Sequence, residues 1–286
     1  MPKGVFVGLA TIDVVYRVDQ FPATNSKVVA GSQDVYVGGP ATNASIAFAH
    51  LGGASSLVSG VGSHALGGVI KHELQEFSVG LVDLNPNFDQ PPPISAVAVN
   101  RSGERNVISA NSSRNSPPPA QVDESRLEGC SIVMVDGHFM DACRAWAKAA
   151  RARGIRVVLD GGSWKEGTAE LLESVDIAIC SSDFKPPQCA TEEEVLRYLQ
   201  GRGIQNIAVT HGGEPVRFVS ATSSGTVNVP AVERVDTMGA GDIFHGAFCY
   251  YAASGQGLVA ALAEATGVAA ESCRYNGTRE WMKVPA

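Results

Sequence analysis

From residue 130 to residue 213 the chain repeats one pattern: a short apolar run, then a helical stretch, then another apolar run. Ile132-Val133-Met134-Val135-Asp136, Arg156-Val157-Val158-Leu159-Asp160, Ile177-Ala178-Ile179-Cys180 and Ile207-Ala208-Val209-Thr210 read as strands, the last ending at His211-Gly212-Gly213. Between them, residues 141–153, 169–173 and 192–200 carry helix-forming residues. Runs of four or five apolar residues suit strands covered on both faces. A helix between successive strands is the crossover that parallel pairing requires. The pattern therefore predicts an α/β fold with a parallel sheet wrapped on both sides. Arg217-Phe218-Val219 and Thr226-Val227-Asn228-Val229 then suggest an antiparallel hairpin.

The first third departs from this regularity. Gly4-Val5-Phe6-Val7-Gly8-Leu9-Ala10 suits a buried central strand, with Asp13 expected at its C-terminal edge. Open α/β sheets gather their ligand groups at that edge, whereas the plainer reading makes Asp13 a turn cap. Residues 15–37 read as two extended strands about a turn at 21–25, outside the main layer. Gly38-Gly39-Pro40-Ala41-Thr42-Asn43-Ala44 leads into a helix of small residues closed by Leu51-Gly52-Gly53. Leu57-Val58-Ser59-Gly60-Val61-Gly62 is a further strand, and Ala65-Leu66-Gly67 opens a helix. Gly60 and Gly62 lack the third glycine of a dinucleotide fingerprint. Residues 94–108 read as a hairpin turning at Arg101-Ser102-Gly103-Glu104, bracketed by the proline runs 91–93 and 117–119. Together 15–37 and 94–108 supply a small sheet, inserted as a lid in a single domain spanning 1–286.

Near the end lies Asp236-Thr237-Met238-Gly239-Ala240-Gly241-Asp242, running into the apolar-small segment 243–248. Gly239, Ala240 and Gly241 carry almost no side chain, so a turn there exposes successive N–H groups. A helix beginning near Gly241 would add the positive end of its dipole, which favours a phosphate in transfer. Asp242, in the first turn, could accept a proton from a substrate hydroxyl. The plainer alternative is a helix capped by Asp236 or Thr237, with Asp242 complementing the dipole.

The complete run D-T-x-G-A-G-D-x-F resembles the signature of the ribokinase-like (PfkB) family of carbohydrate and nucleoside kinases. Gly38-Gly39-x-x-x-Asn43-Ala44 with Leu51-Gly52 matches that family's N-terminal signature, about two hundred residues upstream. The resemblance implies a Rossmann-type αβα sandwich with a small β-sheet lid, ATP along the C-terminal half of the sheet, and a sugar acceptor under the lid. It implies Asp242 as base, Gly239, Ala240 and Gly241 as anion hole, and Asp13, Gly39 and Asn43 as acceptor contacts. Thr210, Gly212 and Thr237 would approach the nucleotide, although Pro215 replaces a glycine common there. Many members carry Asn-x-x-Glu at 181–184; this chain has Ser181 and Phe184, leaving Asp183 as the nearby carboxylate for Mg²⁺. That segment, Asp160-Gly161 and the tail 265–270 look like the ketohexokinase and sulfofructose kinase branch. His64 stands where the family usually has an acid, and reads more simply as a helix-start residue.

A formal charge of −7 argues against a nucleic-acid surface, and no apolar run is long enough to span a bilayer. Met1-Pro2-Lys3-Gly4 passes into Val5 without a signal-peptide cleavage pattern, and six cysteines form no C-x-x-C pair. The expectation is a cytoplasmic protein with reduced core thiols. Apolar residues on both faces of the small sheet predict a homodimer paired through the lid. The expected function is ATP- and Mg²⁺-dependent phosphorylation of a primary hydroxyl on a small sugar. The alternatives are a nucleoside kinase, or a silent sugar- or nucleotide-binding protein on the same scaffold.

Overall fold

The computed structural model describes residues 1–102, 104–110, 115, 117, 118 and 121–283. Gly103 of the expected 101–104 turn and Pro119 of the second proline run lie outside the described residues. The elements run β1 (Lys3–Val7), β2 (Thr11–Arg17), β3 (Ser32–Gly38), α1 (Pro40–His50), β4 (Ala54–Ser59), α2 (Ala65–Glu76) and β5 (Gly80–Asp83). Next come β6 (Ile94–Val99), β7 (Arg105–Ser109), α3 (Glu124–Leu127), β8 (Ile132–Val135), α4 (Met140–Arg151), β9 (Arg156–Gly161) and α5 (Thr168–Leu171). β10 (Ile177–Ser181), α6 (Glu192–Gly201), β11 (Asn206–His211), β12 (Glu214–Val219), β13 (Ser224–Val227), α7 (Ala240–Ala253) and α8 (Leu258–Ser272) complete the α-helices and β-strands of the described residues.

The large sheet has the order β13-β12-β11-β10-β9-β8-β1-β4-β5. It is parallel from β5 to β11, and β12 and β13 add the antiparallel hairpin. Its strands are apolar on both faces because both faces are covered. Trp146 of α4 fills one side with Val133, Val157 and Leu199. On the other side, Phe48 of α1 and Phe248 of α7 pack with Phe6, Leu57 and Met134. All six cysteines are unpaired thiols, four of them buried. Among the described residues no helix is long and apolar enough to cross a membrane.

The chain leaves β1 in both directions, toward β4 and toward β8, so the carboxyl ends of β1 and β8 form the switch point where such sheets bind ligands. Asp136 at the end of β8 is buried and accepts from Leu9 N at 2.9 Å, Ala41 N at 3.2 Å and His138 N at 2.8 Å. One carboxylate thus joins the exit of β1, the N-terminus of α1 and the turn after β8. Gly39, the N-cap of α1, has φ 99°, and a Cβ there would stand 2.2 Å from Leu9 O.

The small sheet has the order β3-β2-β6-β7. Asp13 belongs here. β1 stops at Val7, three residues sooner than the apolar run suggests, and Thr11–Arg17 crosses into the second sheet. Register puts Asp13, Val15 and Arg17 on one face with Tyr36, Val97, Val99, Val107 and Arg105. The opposite face carries Tyr16, Val35, Ile94 and Ile108, which are 37%, 55%, 36% and 78% exposed. The apolar residues therefore divide differently from the sequence expectation: of the valines that suggested a second face, only Val35 lies on it, and Val28 is outside the strands.

α7 begins at Ala240, one residue before the expected start, and crosses α1 backbone to backbone. A Cβ on Gly246 would lie 2.3 Å from Ala44 O. Gly246→Ala is therefore expected to force the helices apart and to cost about 1–3 kcal/mol, as overpacking does. Gly68→Ala, on the open face of α2 where a Cβ meets nothing within 4 Å, should be neutral or stabilising by up to about 1 kcal/mol. Chemical denaturation of both variants checks this; equal stability would refute the close crossing.

Candidate active site

The crossing of α1 and α7 sets one side chain from each helix face to face. Asn43, in the first turn of α1, donates from Nδ2 to Asp242 Oδ2 at 2.7 Å. Its amide cannot turn over, because Asn43 Oδ1 accepts from Arg279 Nη1 at 2.9 Å. Arg279 is buried and bonded through all three nitrogens: Nε donates to Glu73 Oε1 at 2.8 Å, Nη1 also to Thr278 O at 3.1 Å, and Nη2 to Val37 O at 3.0 Å. A guanidinium held through all three nitrogens is rigid, and it hands that rigidity to Asn43.

Asp242 occupies the first turn of α7, after Gly239 in the left-handed region at φ 67°. The Ala240 N–H donates to Thr237 O at 3.3 Å. The N–H groups of Gly241 and Asp242 have no acceptor among the described residues, so they remain available to an anion at the positive end of the helix. The Asp242 carboxyl is pushed up to about 7, first by burial and then by the charge of Asp160; the Asn43 hydrogen bond and His245 pull the other way. Asp160, at the end of β9, is itself raised by burial, with His245 opposing. His245 follows Asp242 on α7 and faces oxygens with both ring nitrogens: Gly241 O at 2.7 Å from Nδ1, and from Nε2 Ile179 O at 3.3 Å and Asp160 Oδ1 at 3.6 Å.

Asp13 comes to the same place from the small sheet. Thr11 Oγ1 donates to Asp13 Oδ1 at 3.3 Å, and Ser95 also donates to this carboxylate. Burial raises its carboxyl, while Ser95, Thr11 and the charge of Arg279 lower it. Gly38 makes the room: a Cβ there would stand 2.0 Å from Asp13 Oδ2. The two glycines of the N-terminal signature thus have separate tasks, Gly38 clearing the carboxylate and Gly39 the turn.

The remaining positions read from sequence lie apart from this cluster. Thr210 is the penultimate residue of β11, with Oγ1 3.5 Å from Cys180 O, and Gly212 lies in the following turn. β11 is four strand positions from β1, roughly 19 Å at about 4.8 Å per strand. Thr237 is exposed and bonded by Arg105 of β7. Asp183 is exposed, and its N–H donates to Ser181 Oγ at 3.1 Å. Phe184 is buried against Trp164, ring centroids 5.5 Å apart. His64 caps α2, Nδ1 accepting from Leu66 N at 3.1 Å. Among the described residues no group of three or more His, Cys, Asp or Glu could hold a metal ion.

Sequence reasoning missed Arg279, Glu73, Asp136 and His245 as site residues, and saw Asp160 only as part of a branch likeness. His245 carried one usable signal, its place one helical turn beyond Gly241.

Residues 1–285 match the model of the pfkB family of carbohydrate kinases. An ATP-dependent ribose-1-phosphate kinase of Halopiger xanaduensis is 25% identical over 252 residues, 87% of this chain and 84% of the relative. A ribokinase of Haemophilus influenzae is 21% identical over 253 residues, 85% of this chain and 82% of the relative. The structure of Arabidopsis thaliana ribokinase complexed with ribose and ATP matches with a TM-score of 0.81 at 21% identity, covering 99% of each chain; at that identity the likeness speaks for the fold. The relatives named here are thus a ribose-1-phosphate kinase and two ribokinases, and the ketohexokinase likeness rests on short segments such as 179–184. With its whole length matched, the chain belongs to the pfkB family of carbohydrate kinases and is a sugar-kinase phosphotransferase.

Proposed function

We propose that this kinase transfers the γ-phosphoryl group of ATP to a primary hydroxyl of a small sugar held between the lid and the α1–α7 crossing. The observation that carries the reading is Asp242: a carboxyl poised near neutrality, aimed by Asn43, beside the free N–H groups that begin α7. Asp242 takes the proton of the acceptor hydroxyl as the oxygen attacks. The N–H groups of Gly241 and Asp242 hold the charge that develops on the transferring group, with Gly239 and Ala240 shaping the turn. Phosphoryl transfer depends chiefly on positioning and charge stabilisation, so these groups suffice. Asp13, Asn43 and Gly39 orient the sugar, and Thr210, Gly212 and Thr237 line the approach of the nucleotide.

Mg²⁺ suits this chain as an ion carried by the nucleotide, since Mg²⁺ is commonly held by phosphates, waters and only one or two carboxylates. Asp160 would hold it, because its carboxylate makes no hydrogen bond among the described residues and its charge is felt at Asp242; Asp183 is the exposed second choice. Bound there, the ion would neutralise charge on the nucleotide phosphates. A nucleoside acceptor is less well served. Tyr36 packs against Gly277, where a Cβ would lie 2.4 Å from its ring, and Tyr16 is on the lid's outer face. The intact Asp242 arrangement argues against a silent binding protein. Six free thiols suit a cytoplasmic setting. The lid's outer face, with Val35 and Ile108 more than half exposed, is covered by the same face of a second subunit in a two-fold dimer.

Asp242→Asn should lower turnover by roughly 10²–10⁴ while nucleotide binding persists. In the wild type, the base must be ionised, so kcat/KM should fall as pH drops through about 7. The stability sign is opposite: a raised carboxyl stabilises the fold at low pH, and that contribution is lost as pH rises through about 7. Asp242→Asn should therefore be no less stable than wild type at pH 8. A pH–rate profile with melting curves tests both, and near-normal turnover would remove Asp242 from the mechanism.

Asp13→Ala should raise the sugar KM and leave ATP affinity nearly unchanged, because charge-assisted bonds to sugar hydroxyls are lost. Calorimetry showing the reverse would contradict this placement.

Light scattering at micromolar concentration should give about twice the 29.8 kDa chain mass. A mass near one chain, unchanged by acceptor, would rule out the lid dimer.

A further inference from the structure

One cavity of the structure is not lined by Asp242. It is a space of about 700 Å³ between the open end of the lid and the loop leading to α7, lined by Arg17, Arg101, Arg105, Arg234, Asp19 and Asp236 among others. Four guanidinium groups face two carboxylates, so the cavity carries an excess of two positive charges in a chain whose formal charge is −7. We infer that this cavity binds a phosphorylated small molecule, its phosphate seated among the arginines.

The arginines are held at different strengths. Asp236, largely buried, accepts from Arg17 Nη2 at 3.2 Å and Arg105 Nη2 at 3.3 Å. The same carboxylate accepts from Met238 N at 3.0 Å and Gly277 N at 3.1 Å. Four donors on one carboxylate leave the two guanidinium groups anchored but undercompensated. Arg101 meets Asp19 at 2.7 Å in an exposed pair, which is weak and easily exchanged. Arg234 is exposed and has no hydrogen-bond or carboxylate partner among the described residues. Anchored arginines with a free one across the opening give a preformed seat for planar, bidentate recognition of phosphate. A phosphomonoester carries close to two negative charges at neutral pH, which matches the excess. The volume is that of a small-molecule site and exceeds what inorganic phosphate alone would fill.

The site bridges two parts of the fold that meet where Arg17 and Arg105 bond to Asp236. Arg17, Arg101 and Arg105 belong to the lid, whereas Arg234 and Asp236 precede the anion-binding turn at 239–241. A phosphate across the opening would draw the lid onto that turn. The inference rests on the kinase reading only for this consequence; the binding itself is independent of it.

Calorimetry of the whole protein with ribose 1-phosphate, and with ribose as uncharged control, tests the site in wild type, Arg234→Ala and Arg101→Ala. Both variants alter exposed side chains and are expected to fold. Wild type should bind ribose 1-phosphate at least tenfold more tightly than ribose, and Arg234→Ala should remove most of that difference while ribose binding stays unchanged. ADP release with ribose 1-phosphate as sole acceptor would identify the phosphate as the acceptor's own. Binding without turnover would identify a separate ligand; either supports the site. Equal affinity for the two sugars, or an unchanged preference in both variants, would overturn it. So would an Arg234→Ala effect confined to the ATP KM, which would assign that charge to the nucleotide. Failure of every sugar to release ADP would instead count against the kinase reading and leave the binding result standing.

Discussion

The backbone contact between α1 and α7 is the constraint on which the site depends. Gly246 lies where any side chain would strike the Ala44 carbonyl, and Ala41, Ala44 and Ala47 give α1 a buried small-residue face. Only at this separation can a side chain as short as asparagine bridge from one helix to a carboxylate on the other. Asn43 and Asp242 do so at 2.7 Å. A larger residue at the crossing would therefore act on chemistry through distance, not through any contact with substrate. Positional errors of about 1 Å are known to be costly to such geometry.

Opposed fields then set the proton affinity of Asp242. The start of a helix favours a negative charge, and so does the Asn43 amide. Burial and the neighbouring Asp160 oppose it more strongly, and the balance falls at about 7. A general base works best near that value, since it is then ionised often enough and still holds a proton well. Arg279 contributes without touching Asp242: it fixes which way Asn43 points and lends positive charge to both Asp242 and Asp13. The two carboxylates of the site come from different sheets and helices, yet they share this one buried cation.

The legible part of the site is the part written locally. Gly38, Gly39 and Gly239 could be read because tight turns and close approaches require glycine wherever they occur, and Asp242 because its neighbours make a helix start. The alternation of strands and helices from 130 to 213 was likewise a local pattern. Arg279 was not legible, because its partners are Glu73, Asn43 and the Val37 carbonyl, more than two hundred residues away. Asp136 looked like the end of a strand, and only the fold brings Leu9 and Ala41 to it. Asp13 shows a subtler failure. The apolar run 4–10 does not break where β1 ends, since Leu9 and Ala10 are buried in the passage to the second sheet as fully as the strand itself. Periodicity sees burial, and burial continued past the strand.

The segment after β10 shows how one departure from a family pattern is absorbed. Where the family resemblance leads one to expect a glutamate, Phe184 is buried and meets the edge of Trp164, which in turn meets Tyr198. The position has become part of the core, and restoring an acid there would bury an unpaired charge. Ser181 likewise turns its hydroxyl onto Gly162 O at 2.8 Å and so ties β10 to the end of β9. β9 lies next to β10 and ends in Asp160 and Gly161, where a side chain at 161 would strike Cys180 Sγ at 2.6 Å. Close packing of β9 on β10 therefore keeps Asp160 within the field of Asp242, where its charge raises the proton affinity of that carboxyl.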